Sequence, residues 1–213
     1  HTLDAHGGYT VHNEMATHGT NMNVPKLKRS TNKTNRTINA ENKFILPENT
    51  NQILDAEKFF SENEIQFLHK SIDSIFKSTK LKLQVAFVTP EYYENDSSKF
   101  DLFATTLEKK WGTVQDKARL LLIVSMSHKT AIMRLSGNKL KSSFRNLFEI
   151  VKENREPTDI EKRNIENFGQ LLDKILFEEA MLGVNLKSKN YVKALKDYFT
   201  AIINNRHLFF DLN

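Results

Sequence analysis

Four of the seven histidines, His1, His6, His12 and His18, fall within the first 18 residues, and imidazoles are good zinc or copper ligands. Their spacings of five, six and six follow neither a helical face nor a compact metal motif. Two readings stay open there: a metal site completed with Glu14, or polar packing contacts. His69 and His128 fall on a predicted helix and a predicted turn, where they read as surface residues before they read as general acids or bases. The absence of cysteine removes disulfide frameworks, thiolate zinc sites, iron–sulfur clusters and cysteine nucleophiles. Phosphate-cradling loops of the form G-x-x-x-x-G-K-[ST] and G-x-G-x-x-G are missing, as are H-E-x-x-H, G-x-S-x-G and a D-x-D pair. The reading leans away from an enzyme, and no residue is assigned a catalytic role.

Charge points to binding instead. Residues 1–23 hold Asp4 and Glu14 without a Lys or Arg, whereas residues 24–43 hold Lys26, Lys28, Arg29, Lys33, Arg36 and Lys43 against Glu41. The net charge of +5 therefore belongs mostly to this short basic stretch. It suits an acidic protein surface or anionic lipid. Nucleic acid is not expected, because no aromatic side chains are interleaved for bases to stack on. Residues 1–43 as a whole, rich in Asn, Thr, His and Gly with no sustained apolar period, read as an extended non-globular arm that would need partner chains to order it.

The elements begin after the arm. Ser61-Glu62-Asn63-Glu64 has the form of a capping box, and Ile65, Leu68, Ile72, Ile75 and Phe76 then mark one face of a helix over about 62–78. A first strand follows at Leu83 to Val88, stopped by Thr89-Pro90. Ser97 can cap a second helix that carries Phe100, Phe103, Leu107 and Trp111 on one face and ends at Gly112. Trp111 reads as an aromatic plug at the helix–sheet junction. Leu120 to Val124 is apolar throughout, as a strand covered on both faces should be, and strand–helix–strand implies a parallel crossover. Ala131 to Leu135 returns across the polar turn Ser127–Thr130 as an antiparallel hairpin.

Three helical stripes complete the chain: Leu140, Phe144, Leu147, Phe148 and Val151; Ile160, Phe168, Leu171, Leu172, Ile175 and Leu176, after a break at Pro157; and Tyr191, Leu195, Tyr198, Phe199 and Ile202. The final Leu208, Phe209 and Phe210 either fold back on the domain or anchor a neighbour. The fold class is α/β: a small mixed sheet sandwiched between helices over residues 44–213, with the extended arm at 1–43. The longest apolar run, Ala118 to Val124 interrupted by Arg119, is too short to cross a bilayer.

Several stretches taken in order resemble the TPM domain, found in thylakoid, bacterial-envelope and nematode membrane-associated proteins. They are Ile53-Leu54-Asp55-Ala56 with Phe60-Ser61-Glu62-Asn63-Glu64; Phe103 to Gly112, a helix ending in Trp-Gly; Asp116 to Val124, a charged loop running into an apolar strand; and Ile132 to Gly137. The resemblance covers about residues 50–205. It implies an α/β sandwich, and either a weak divalent-cation-dependent acid phosphatase or a part in assembling or repairing membrane complexes. Asp55 and Asp116 match acidic positions of the pattern and are the candidate metal ligands. Just after the third strand, however, Gly137-Asn138-Lys139-Leu140-Lys141 presents lysines where the family pattern has acidic residues. Lysine offers a hard cation no oxygen.

The expectation that follows is a non-catalytic accessory subunit of a large membrane-associated complex, with no cofactor. The TPM-like body would dock, and Lys26, Lys28, Arg29, Lys33, Arg36, Leu208, Phe209 and Phe210 would contact partner subunits. The alternatives are a divalent-metal-dependent acid phosphatase and a peripheral binder of anionic membranes. The pI near 9.2, the first residue His1, as expected of a processed precursor or a shortened chain, and the lack of cysteine suggest the mitochondrial inner membrane. An extracytoplasmic, periplasmic or lumenal site is the alternative.

Overall fold

The computed structural model describes residues 41–49, 52–153 and 155–212, together with the backbone of 2–3, 8–12 and 26–27. The basic residues Lys28, Arg29, Lys33 and Arg36, and the side chains of Lys26 and of the four early histidines, lie outside the described residues.

Ser61 begins the first helix as its sequence predicts. Its hydroxyl accepts from the Glu64 N–H at 3.2 Å, while the Glu64 carboxylate accepts from the Ser61 N–H at 2.9 Å. This reciprocal cap satisfies two orphan donors and starts α1, Glu62–Thr79. Lys80, at φ 64°, turns the chain directly into strand β2, Leu81–Phe87. A three-residue strand β1, Ile53–Asp55, precedes α1 and pairs parallel with β2. Asp96 rather than Ser97 caps the next helical segment, accepting from the Ser98 N–H at 2.9 Å. A 3-10 turn at Ser97–Lys99 then leads into α2, Phe100–Trp111. Strand β3, Ala118–Ser125, lies parallel to β2, and β4, Thr130–Ser136, returns antiparallel to β3. The domain's four strands thus run in the order β4-β3-β2-β1. On the far side of β4 the backbone of Gly8–His12 pairs antiparallel with it, and Thr2–Leu3 and Lys26–Leu27 continue the sheet.

Alternation along the strands divides the core between two faces. Ala86, Leu121, Ile123 and Ile132 meet Phe100, Phe103, Ala104, Leu107 and Trp111 of α2. Leu81, Leu83, Val85, Phe87, Leu120, Leu122, Val124, Met133 and Leu135 point the other way, into a larger core closed by the remaining helices. Those helices are α1, α3 (Ser142–Lys152), α4 (Asp159–Asp173), α5 (Leu182–Lys187) and α6 (Tyr191–Phe209). A π-helical stretch, Lys174–Glu179, prolongs α4 and buries the consecutive Ile175, Leu176 and Phe177.

Two further details depart from the sequence reading. Ile160, placed on the apolar stripe of α4, is 65% exposed, and Ile165 takes the buried position instead. Leu140 lies ahead of α3 and bridges to Phe210. No helix among the described residues is long and apolar enough to cross a membrane.

Candidate functional site

The chemically distinctive groups gather at the amino-terminal ends of β2 and β3. Asp116, in the loop before β3, accepts from the Thr113 N–H at 3.0 Å and the Thr113 hydroxyl at 3.1 Å. The Lys82 ammonium reaches the same carboxylate at 3.2 Å, and the Arg119 guanidinium lies 3.5 Å away. Burial works to raise the Asp116 carboxyl, but the Thr113 N–H and the Lys82 ammonium together outweigh it and hold the group below the usual carboxylate range.

Arg119 itself is almost wholly buried, although it stands in an apolar strand. It donates to the Glu108 carbonyl at 2.8 Å and lies across Gly112, where a Cβ would meet its Nη1 at 2.1 Å. The neighbouring buried cation, Arg134 on β4, is paired with the Glu108 carboxylate. Gly137, at φ 117°, lets the chain after β4 pass over the Lys117 carbonyl, which a Cβ would approach to 2.3 Å. Backbone bonds from Asn138 to Asp116 at 3.1 Å and from Lys139 to Lys117 at 2.8 Å lock the two loops together. The Trp-Gly end of α2 and the glycine after β4 are therefore two contacts of one packed corner. Trp111 completes it, buried with its Nε1–H donating to the Pro47 carbonyl at 2.9 Å.

Asp55 is elsewhere. Its two carboxylate oxygens accept from the Phe59 and Phe60 N–H groups at 2.9 and 3.0 Å, stabilising the turn into α1. Asp55 pairs with Phe87 at the end of β2, whereas Ala118, two residues after Asp116, pairs with Leu81 at its start. At a rise of roughly 3.3 Å per residue the two carboxylates are separated by about 20 Å along the sheet. They cannot share an ion. Among the described residues no group of three or more His, Asp or Glu side chains converges on a point.

The other predicted residues separate in the same way. Phe209 and Phe210, expected among the partner contacts, are fully buried in the domain, and Phe209 packs on Phe144 with ring centroids 5.6 Å apart. Only Leu208 of the three stays substantially exposed. The tail folds back because two aromatic rings gain more by completing this core than by waiting in water. His128 is half-buried, with Nδ1 2.6 Å from the Tyr93 hydroxyl, which is also 2.6 Å from the Ser125 hydroxyl. His69 lines a cleft beside α1. Sequence reasoning missed the Glu108–Arg134 and Arg119 contacts, although a cation in each of two apolar strands was their visible signal.

Residues 53–153, from the first residue of β1 to just past α3, match the family model of the TPM domain. The chain carries a TPM domain. The match ends well short of residue 205, to which the resemblance was expected to extend, and leaves α4, α5 and α6 outside it. Comparison of the chain with curated proteins finds no match.

Proposed function

We propose that this TPM domain serves as the docking body of a non-catalytic accessory subunit in a large membrane-associated complex. Lys26, Lys28, Arg29, Lys33 and Arg36 would add contacts to acidic partner surfaces. The observation that carries the reading is the use already made of the two family-pattern carboxylates. Asp55 is bound by backbone amides at one end of the sheet, and Asp116 by Thr113, Lys82 and Arg119 at the other. Both carboxylates are thus already engaged in holding the fold. Apolar side chains stand out from the body instead, among them Val114 at 90% exposure and Leu102 at 48%. Such groups suit a protein interface. The mitochondrial inner membrane is the proposed location.

The test is isolation of the native protein in mild detergent, followed by mass spectrometry of the co-migrating chains. A stoichiometric membrane complex is expected, and residues 44–213 alone should fold but fail to join it. A free monomer that hydrolyses p-nitrophenyl phosphate only with a divalent cation, and loses that activity in Asp116→Asn, would overturn the reading.

A further inference from the structure

We propose that the cleft between α1 and the loop preceding β3 binds a small organic acid, an apolar body carrying a single carboxylate. Ligands of open α/β sheets usually enter at the carboxyl ends of the strands. Here that end is plugged: Phe59 stacks on Tyr191 with centroids 4.0 Å apart, and both rings, with Phe60, close over Phe87. A cleft of about 770 Å³ opens at the opposite end and runs along one face of α1.

Its floor is apolar and its rim charged. Ile72 and Phe76 supply the floor, and the Lys80 ammonium stands 5.8 Å from the Phe76 ring centroid. Lys80, Lys82 and Lys117 line the cleft together with two carboxylates, Asp73 and Asp116. Asp116 is paired with Lys82, and Asp73 accepts from the Gln52 side-chain amide. The lining side chains leave a positive surplus on the exposed Lys80 and Lys117, and Arg119, 3.5 Å from Asp116, adds to it from behind. That surplus suits an anion, and the apolar floor of Ile72 and Phe76 favours an organic carboxylate over a bare inorganic one.

His69 also stands in the wall of the cleft. Its Nε2 is buried within the cleft wall and has no hydrogen-bond partner among the described residues. Buried polar atoms of this kind normally have a partner from the protein, from water or from a ligand. A carboxylate in the cleft is taken by a lysine ammonium, with the His69 ring in the wall beside it and the apolar body over Phe76.

The inference stands apart from the docking role, and its experiment needs no partner protein. The full chain, labelled with ¹³C and ¹⁵N, is titrated with naphthoate at neutral pH while the histidine ring resonances are followed. His69→Gln identifies the signal. A saturable shift of the His69 ring is expected with naphthoate. Affinity should fall roughly tenfold for uncharged naphthalenemethanol, which keeps the body and loses the charge. The pair Lys80→Asn and Lys117→Gln should weaken naphthoate by a similar factor, asparagine being chosen because it tolerates the left-handed backbone at Lys80. Lys117→Gln alone should give a smaller loss, and it serves as the reading if the double variant fails to fold. The proposal is overturned if no saturable shift appears, if the uncharged analogue binds as tightly, if the lysine changes leave affinity intact, or if inorganic phosphate displaces naphthoate at equal concentration.

Discussion

Asp116 shows how much of a site residue's chemistry is set by its neighbours. Because its carboxyl is held below the ordinary range, its contribution to stability is present above the unfolded value near 3.9 and is lost as pH falls through the lower folded value. Asp116→Asn should therefore cost about 1–3 kcal/mol at neutral pH, with the gap from the parent closing as the medium is acidified below about pH 4. Urea melts at neutral and acid pH measure this, and a gap that stays constant contradicts it. Two buried tyrosines make a paired case. The Tyr93 hydroxyl bonds to Ser125 and His128, whereas that of Tyr198 is wholly buried with no partner among the described residues. Burial pushes both phenols up. Tyr93→Phe leaves the Ser125 hydroxyl without this contact and should cost about 1–3 kcal/mol. Tyr198→Phe removes only an unsatisfied group and should be neutral or stabilising within about 1 kcal/mol. Equal losses in the two variants would refute the distinction. Nothing in the sequence separates these tyrosines, since hydroxyl partners 32 and 35 residues away come from tertiary packing.

Elements are legible where their signals are local. The capping box at Ser61 fixes the start of α1, and the same signature at Thr158-x-x-Glu161 caps α4, where the Thr158 hydroxyl accepts from the Glu161 N–H at 3.2 Å. The same rule reads that second box from the sequence, one residue after the break at Pro157. Strand β1 has three residues, too few to show alternation, and becomes a strand by pairing with β2. Ile160 fits a stripe in sequence but is only the second residue of α4, where the helix has not yet met its neighbours. The two glycines differ in what surrounds them. Gly137 combines φ 117° with a close backbone carbonyl, so Gly137→Ala carries strain of about 1–3 kcal/mol and a further steric cost of similar size. Gly112 has φ −81° and meets the guanidinium of Arg119, a side chain that can shift. Thermal melts should place Gly137→Ala well below Gly112→Ala in stability. The reverse order would mean that Arg119 is fixed more firmly than the loop it crosses.

For the whole molecule, the decisive fact is that the TPM match and the folded core have different limits. The match stops at residue 153, yet one continuous core joins β2, β3 and β4 to Phe168, Leu172, Tyr198 and Phe209. A sheet face this apolar must be covered, and α4 to α6 cover it. The tail then ties the last helix to the loop after β4. Lys141 donates its N–H to the Phe209 carbonyl at 2.8 Å, and Asp211 donates to the Lys139 carbonyl at 2.8 Å. Lys139 and Lys141, which stand where acidic residues were expected, thus lie in a loop held by the end of α6 and the residues that follow it. The sequence left open whether Leu208, Phe209 and Phe210 fold back or reach a neighbour, because apolar residues after a helix look the same in either case. Burial assigns different parts to them, and substitution can measure the division. Phe209→Ala should cost about 3–5 kcal/mol, as expected for a fully buried ring. Leu208→Ala, at a position 44% exposed, should cost less than about 1 kcal/mol in the isolated chain. If Leu208 contacts a partner subunit, its substitution should weaken recovery of the complex without lowering the melting temperature of the free protein. Loss of both from Leu208→Ala would instead assign that side chain to the core.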